Sequence, residues 1–533
     1  MGSRTGSNSI SRRTFVTAGV RACTTAAVLS PARMLQGAAP TIIQSESSRP
    51  LMPEGIASGD VTAGRAVIWS RTDRPSRLIV EYSSSDRFEE VSRRLGPAAL
   101  ESTDYTARVT LTDLPPEQRI FYRVQFQDLS DSRALSLPQV GSFRTPAATN
   151  VTRNVTLAWS ADTVGQGWGI NPEWGGLRIY ETMARVEPDV FIHCGDTIYA
   201  DQHLPREIKL DDGTVWNNVV TEAKSKVAET LDEFRGNYKY NLLDEHMRRF
   251  NAAVPQIAIW DDHEVRDNWY EARTLEKDDR YKVKSVPLLA ARARQAFLEF
   301  NPVLISAEDR DRIHRLIPYG PLVDVLAIDL RSYRGANSTN RQPTLDGPSR
   351  ILGDAQLASL KGRLAASKAT WKIIASDMPI GLVVRDSPNF YEAIANDDTG
   401  PPLGRELELA DLLRFIKAKR IRNVVWVTGD VHYCAAHHYD PARAAFTDFD
   451  SFWEFVAGPL HAGTFGPGVL DPTFGPEARF IGIPPGMKGN RPPSDGFQFF
   501  GTLRIDARTR ALTARLHNLA GKVLFQVELP DET

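Results

Sequence analysis

The sequence predicts a mixed α/β protein in which a small β-sandwich precedes a larger α/β domain. Residues 55–145 contain short alternating segments separated by turn signals, which is typical of a sandwich. From Val155 onward, short apolar segments alternate with stretches of helical spacing, which indicates stacked layers of strands and helices. The expected organisation is a leader at 1–40, a sandwich at 41–146 and an α/β domain at 150–533.

The individual elements follow from the same patterns. The predicted sandwich strands are 66–69, 78–82, 105–111, 121–126 and 141–146. The predicted buried strands of the second domain are 155–159, 189–194, 256–260, 323–328, 371–375 and 423–427. Predicted helices are 177–186, 286–300, 355–365 and 407–419, and the C-terminal strands are 497–505, 511–516 and 523–529.

Composition excludes several classes of protein. The chain has 533 residues, with 64 Lys and Arg against 66 Asp and Glu, so no basic excess marks a nucleic-acid-binding patch. Its three cysteines exclude a disulfide framework, although a single bridge stays open.

The N-terminus has the features of an export signal. Arg12 and Arg13 are followed by a mildly apolar stretch to about Leu29, and small residues at 37–39 offer a cleavage region. This pattern resembles a twin-arginine signal, which carries folded proteins across a membrane. We therefore expect the twin-arginine export machinery as a partner and a secreted, periplasmic or cell-surface location.

Acidic residues follow four of the predicted buried strands. Asp162, Asp196, Asp262 and Asp430 each come just past a carboxyl end, which is the edge where open α/β sheets bind ligands. Clustered carboxylates repel one another unless cations neutralise them. The sequence therefore predicts a metal site at this edge.

The residue types narrow the metal chemistry. Hard oxygen donors with one or two imidazoles suit iron(III), manganese, calcium or zinc better than a thiolate site would. Two such ions about 3.5–4 Å apart can clamp a phosphoryl group, and a metal-bound hydroxide then attacks phosphorus in line.

The motifs around these acids resemble known metallophosphatases. Gly-Asp-x-x-Tyr at 195–199 is similar to the purple acid phosphatase motif, whose tyrosine binds ferric iron. Asp-Asp-His-Glu at 261–264 resembles the Gly-Asn-His-Glu/Asp block of calcineurin-like metallophosphoesterases, and Gly-Asp-Val-His at 429–432 resembles their final metal block. With 55–60 and 329–334, the set resembles the alkaline phosphatase D family, and the loop after strand 155–159 is most similar to members described as secreted phospholipase D.

This resemblance implies an α/β/β/α, calcineurin-like metallophosphatase domain behind a sandwich of fibronectin III or immunoglobulin type. It also implies a site for Fe³⁺ and Ca²⁺, with Mn²⁺ or Zn²⁺ as alternatives. Asp162, Asp196 and Tyr199 would hold the iron, with Asp196 bridging. The second ion would take Asp262 and His432, with Asp430 on one of the two. Two departures leave the metals open, because many family members have cysteine where Asp162 stands and asparagine where Asp262 stands.

For several further side chains, the sequence allows a functional role or a purely structural one. His263 is expected to act as an acid or phosphate donor, or else is a core histidine. Arg331 and Arg334 are candidates to contact phosphate, with plain salt bridging as the alternative. Asn268 is a candidate metal ligand. Tyr199 and His432 are expected ligands, although a tyrosine here could simply be a packed aromatic.

The sequence thus predicts an exported, metal-dependent hydrolase of phosphate monoesters and diesters, with phospholipid head groups as one diester case. The alternative is a non-catalytic cell-surface binding protein with a calcium-stabilised scaffold. Hydrolysis of p-nitrophenyl phosphate and bis-p-nitrophenyl phosphate, with and without chelator, separates the two.

Overall fold

The computed structural model of the chain describes residues 48–150 and 153–532. The predicted leader, with Arg12 and Arg13, lies outside the described residues. Within the described residues, no helix has both the length and the apolar character that crossing a membrane requires.

The N-terminal part consists of seven strands. They are β1 (Ile56–Thr62), β2 (Arg65–Arg71), β3 (Ser76–Ser83), β4 (Ser92–Ala99), β5 (Thr106–Thr112), β6 (Arg119–Asp128) and β7 (Gln139–Arg144). One sheet has the order β4-β3-β6-β7, and opposite it β2 pairs with β1 on one side and with β5 on the other. Apolar side chains that alternate along these strands, such as Ile68, Val80 and Val124, fill the space between the two sheets. The predicted sandwich arrangement is confirmed.

The rest of the chain alternates strands and helices. Up to residue 300 it contains β8 (Val155–Ser160), α1 (Arg178–Ala184), β9 (Val190–Cys194), β10 (Glu207–Lys209), β11 (Val215–Asn217), α2 (Leu231–Asn241), α3 (Glu245–Ala253), β12 (Gln256–Ile259) and α4 (Val286–Phe300). It continues with β13 (Arg315–Tyr319), β14 (Val323–Ala327), α5 (Asp354–Ala366), β15 (Trp371–Ala375), β16 (Arg385–Ser387), β17 (Phe390–Tyr391), α6 (Glu406–Ala418) and β18 (Val424–Thr428). The last strands are β19 (Ala435–Tyr439), β20 (Phe452–Val456), β21 (Pro476–Ile481), β22 (Phe499–Ile505), β23 (Leu512–Asn518) and β24 (Val523–Leu529).

Two large sheets pack face to face. The first has the order β24-β23-β22-β8-β9-β12-β1-β2-β5, and the second has the order β13-β14-β15-β18-β20-β19-β21. The inward side chains of both sheets, including Trp159, Ile192 and Val425, form a shared apolar core. Helices α1 to α4 cover the outer face of the first sheet, and α5 and α6 cover that of the second. The predicted α/β/β/α arrangement is therefore confirmed.

The N-terminal part and the α/β part share a sheet. Strand β1 pairs in parallel with β12 at Gly59 and Gln256. A side chain at Gly59 would put its Cβ 2.4 Å from the Pro302 carbonyl oxygen, so the approach of the chains requires glycine. The next residue, Asp60, is buried and binds the Arg315 guanidinium with both carboxylate oxygens, each at 2.8 Å. The motif at 55–60 therefore ties the two parts together.

Candidate metal centre

The four acids that follow parallel strands converge, as the sequence predicts. Asp162, Asp196, Asp262 and Asp430 lie past the carboxyl ends of β8, β9, β12 and β18. Oxygen atoms of Asp162 and Asp196 lie within 4.8 Å of each other and of a His432 ring nitrogen. Asp196 also belongs to a second group with Asp262, and Asp262 to a third with Asp430. The carboxylates thus form one continuous cluster.

The surroundings of Asp162 favour a bound cation. It is fully buried, and neither carboxylate oxygen has a hydrogen-bond partner among the residues that the structure describes. Burial and nearby carboxylates raise the pKa of Asp162 well above its usual value. A Cβ on Gly458 would lie 2.1 Å from its Oδ2, so the wall beside this carboxylate has to be glycine. An orphaned buried carboxylate of this kind fits a metal ligand.

His432 presents one defined nitrogen to the cluster. Its Nδ1 lies 2.6 Å from the Gly463 carbonyl oxygen, to which it can only donate. Its Nε2 is then unprotonated and turns its lone pair towards the cluster. This nitrogen lies 3.0 Å from the Tyr199 hydroxyl and 3.8 Å from Asp162 Oδ1. Burial lowers the pKa of His432 to about 4, which favours the neutral ring. This backbone contact orients the imidazole as in a typical metal-binding histidine.

The Tyr199 ring is held in place by contacts with His263 and Gly165. One face of the ring stacks on His263, with centroids 4.3 Å apart. Gly165 also lies against the ring, because a Cβ there would come 2.5 Å from three of the ring carbons. Burial and the nearby Asp196 raise the pKa of the Tyr199 phenol well above 10, so the phenolate needs a cation beside it.

Backbone N–H groups fix the orientation of the Asp196 and Asp262 carboxylates. Asp196 Oδ1 accepts a hydrogen bond from the His263 backbone N–H at 3.2 Å, and Asp262 Oδ2 accepts one from the Asn268 N–H at 2.6 Å. Asp262 Oδ1 has no hydrogen-bond partner within the described chain. Burial opposes ionisation of Asp262, but the neighbouring His263 and Arg331 lower its pKa to about 2.

His263 forms a dyad with a carboxylate that sequence reasoning missed. Asp201 Oδ1 lies 2.8 Å from His263 Nδ1, and its Oδ2 accepts the Asp267 backbone N–H at 3.0 Å. The other ring nitrogen, Nε2, faces the cluster 4.0 Å from Asp262 Oδ1. Although burial disfavours the charged ring, Asp201 and Asp262 raise the pKa of His263 well above its usual value. In the sequence, the sign that Asp201 belongs to the site was its position two residues after Tyr199.

Glu264 is a second residue that the sequence did not single out. This fully buried side chain accepts three backbone hydrogen bonds, from Thr197 at 2.6 Å, Asp261 at 2.8 Å and Asp196 at 3.1 Å. One carboxylate therefore holds the ends of both β9 and β12, from which the cluster projects. Burial raises the pKa of Glu264 to about 7.

Comparisons with known proteins agree with this geometry. The family model "PhoD-like phosphatase" matches residues 157–516, and the model of its N-terminal domain matches residues 37–147. The chain belongs to the PhoD-like phosphatase family.

Individual relatives support the same assignment. Alkaline phosphatase D of Bacillus subtilis (strain 168) is 28% identical over 435 residues, which cover 77% of this chain and 69% of the relative. A solved structure of PhoD superposes with a TM-score of 0.66 at 21% identity, covering 90% of this chain and 89% of the other. Purple acid phosphatase PPD1 from yellow lupin (Lupinus luteus) seeds superposes with a TM-score of 0.55 at 12% identity, covering 90% and 74%. These two structures show the shared fold.

Membership of the PhoD-like family, together with the carboxylate cluster, makes the chain a metal-dependent phosphoric ester hydrolase. The expectation of an enzyme is confirmed, and the alternative of a non-catalytic binding protein is not favoured. The clusters fit metal ions through their hard oxygen donors and the single oriented imidazole of His432.

The structure places Arg331 and Arg334 beneath the cluster. Arg331 is completely buried and lies 2.5 Å from Asp261 Oδ1 and 3.7 Å from Asp430 Oδ1. Both guanidiniums contact Glu392, Arg331 at its carboxylate and Arg334 at its backbone oxygen. They offset part of the negative charge of this PhoD-like site. Contact of either arginine with phosphate stays a prediction.

Asn268 lies beside the cluster with a positive φ of 57°. Its backbone N–H binds Asp262, and its side-chain amide faces Glu392, with the nitrogen 3.0 Å from Oε1 when it is oriented to donate. A ligand role for this side chain stays a prediction.

The two tryptophans of the loop after β8 pack against neighbouring aromatic rings. Trp168 is buried, donates to Asn490 Oδ1 at 2.8 Å and meets Trp216 edge-on. His461 lies 3.0 Å from the Gly169 carbonyl oxygen and packs on Trp174. These contacts anchor the loop that covers Tyr199.

Replacing Glu264 should loosen the metal centre without unfolding the protein. Glu264→Gln keeps the size but leaves only one acceptor oxygen for three N–H donors. We expect metal affinity and phosphatase activity to fall by about 10- to 100-fold, measured by elemental analysis and hydrolysis of p-nitrophenyl phosphate.

A matched control exists on α6. Glu408 is also buried and also accepts three backbone N–H groups, from Ile351, Leu352 and Gly353. Glu408→Gln should cost similar stability and leave the folded enzyme active. Equal losses of activity in the two variants would contradict the role assigned to Glu264.

Proposed function

We propose that this PhoD-like enzyme uses iron(III) and calcium to hydrolyse both phosphate monoesters and diesters outside the cytoplasm. The sequence assigns His432 to the second ion, but this side chain groups with Asp162 and Asp196 and lies 3.0 Å from the Tyr199 hydroxyl. Asp162, Asp196, Tyr199 and His432 would therefore hold the iron, and Asp262 and Asp430 would complete the calcium side with Asp196. The orphaned, fully buried oxygens of Asp162 are the observation that carries this proposal. When bound, two multivalent cations supply Lewis-acid polarisation of the phosphoryl group and a nucleophile at neutral pH.

The donor set favours a trivalent ion at the first position. A phenolate, two carboxylates and one imidazole are mostly hard, anionic ligands, which match iron(III) in charge and hardness. The second position offers the carboxylates of Asp196, Asp262 and Asp430, which suit calcium, and the His263 ring lies beside them with its Nδ1 held by Asp201. Mn²⁺ and Zn²⁺ are the alternatives that elemental analysis of the native protein would distinguish.

His263 is the candidate proton donor. Asp201 fixes the ring through Nδ1, so Nε2 points at the rim of the cluster where a phosphoryl group would lie. His263 would donate a proton from Nε2 to the leaving oxygen of the ester, with Asp201 stabilising the protonated ring.

The charge environment favours broad ester specificity. The guanidiniums nearest the cluster, Arg331 and Arg334, are already engaged by Asp261 and Glu392. Recognition of the phosphoryl group would therefore rest mainly on the metal ions, which do not require the second negative charge of a monoester. Release of a phospholipid head group is one case of the diester reaction.

Export is proposed from the leader. Arg12 and Arg13 with the stretch that follows them support passage of the folded, metal-loaded protein through twin-arginine machinery. Replacing both arginines by lysine should leave the protein inside the host cell, as fractionation and activity in the medium would show. Unchanged export of that variant would remove this part of the proposal.

The iron assignment predicts a colour. A tyrosinate–iron(III) bond gives visible charge-transfer absorption, so the native protein should absorb in the visible range and Tyr199→Phe should not. The control is Tyr238→Phe, which alters another buried tyrosine whose hydroxyl has no partner within the described chain. A colourless native protein that contains no iron would contradict the assignment.

The bridging carboxylate predicts joint loss of metal and activity. Asp196→Ala should abolish hydrolysis of both p-nitrophenyl phosphate and bis-p-nitrophenyl phosphate, because Asp196 belongs to two of the ligand groups. Chelator treatment of the wild type should have the same effect, and restored calcium and iron should reverse it. Full metal content and activity in Asp196→Ala would refute the bridging role, and hydrolysis of one ester class alone would refute the broad specificity.

A further inference from the structure

A basic cavity lies at the end of the first sheet opposite the metal centre. It has a volume of about 800 Å³ and is lined by the start of β8, the C-terminal strands β22 and β23, and parts of β6 and β7. Thr156, near the start of β8, lines the cavity, whereas Asp162 follows the opposite end of this strand and belongs to the metal centre. The cavity is therefore not a part of the catalytic cluster.

Arginine dominates the charge of this cavity. Its lining includes five guanidiniums against two carboxylates, Glu187 and Asp189, in a chain whose overall net charge is slightly negative. The five residues are Arg119, Arg144, Arg153, Arg504 and Arg515. Positive charge is thus concentrated here beyond the average of the protein.

Most of these arginines have no carboxylate partner. Asp189 is committed to Arg153, which binds its two oxygens at 2.7 and 3.1 Å. Arg119 and Arg515 bind neutral oxygens, of Ser142 at 3.2 Å and Gln526 at 2.7 Å. The Arg504 guanidinium has no ion pair or hydrogen bond with the chain at 48–150 or 153–532.

Two of the arginines are forced close together by strand register. Arg515 is paired directly with Thr502, and Arg504 follows two residues later on the same face of β22. Diagonal neighbours of this kind are about 7–8 Å apart, and like charges on one sheet face destabilise it. His517, on the same face of β23, adds a further nitrogen donor or acceptor to the floor. A bound anion would relieve this repulsion.

We propose that this cavity binds a small polyanion that carries two or more phosphate groups. One guanidinium group can bind two phosphate oxygens at once. Here the guanidinium groups come from the sheet floor and from the β6–β7 wall, so the cavity can bind more than one anionic group. The site binds its ligand independently of the hydrolytic reaction.

The test uses the metal-loaded full chain and a fluorescent trianion, hydroxypyrene trisulfonate, followed by fluorescence anisotropy at low salt. We expect saturable binding that weakens at least about tenfold in Arg504→Gln/Arg515→Gln, because two charge-assisted contacts are removed. Arg119→Gln, on the opposite wall, should also weaken binding. Inorganic triphosphate should displace the dye at lower concentration than inorganic phosphate.

The control removes the same charge elsewhere. Arg94 and Arg310 are exposed and lie outside the cavity lining, so Arg94→Gln/Arg310→Gln should bind the dye as the wild type does. Unchanged hydrolysis of p-nitrophenyl phosphate by all variants would show that they are folded. Dye binding that survives in Arg504→Gln/Arg515→Gln, or that falls equally in the control, would overturn the proposal. Equal potency of phosphate and triphosphate would overturn the requirement for several phosphate groups.

Discussion

The mutual repulsion of buried carboxylates is the constraint on which this structure depends. Strands β8, β9 and β12 of one sheet and β18 of the other bring Asp162, Asp196, Asp262 and Asp430 together. The first three are buried and Asp430 is half-buried, so little water screens these charges from one another. The protein supplies only part of the compensating charge, through Arg331 below and His263 beside the cluster. The remaining charge has to come from cations, which is why a fold of this kind is also a metal centre.

Much of the site was predictable because strand ends can be read from sequence. Apolar segments fix where β8, β9, β12 and β18 stop, and parallel pairing brings the ends of β8, β9 and β12 together whatever their separation in the chain. The helix at Val286–Phe300 was predicted at its observed bounds for a similar reason, since its apolar spacing is long and regular. The sequence therefore predicts each strand-end acid, whereas the meeting of Asp430 with the other three also depends on the packing of the second sheet against the first.

The supporting residues could not be found in this way. Asp201 and Glu264 act through contacts with His263 and with three backbone N–H groups, and these partners are defined only once the loops fold. Glu392, which engages both buried arginines, lies about 60 residues from them in a segment without regular periodicity. Sequence patterns indicate which residues are buried and which face of a strand or helix they occupy. The contacts of Asp201, Glu264 and Glu392 depend instead on how separate loops pack against one another.

The N-terminal part contributes to the site through β12, the strand that leads to Asp262. Without β1, β12 would be an exposed edge of the sheet, held on one side only by β9. Gly59 allows the close approach of β1, and the Asp60–Arg315 ion pair ties β1 to the start of β13. Since Glu264 joins the ends of β9 and β12, any movement of β12 would reach the Asp196 and Asp262 carboxylates directly. The sandwich therefore supports the metal centre by holding β12 in place. None of its side chains belongs to the carboxylate groups found among the described residues.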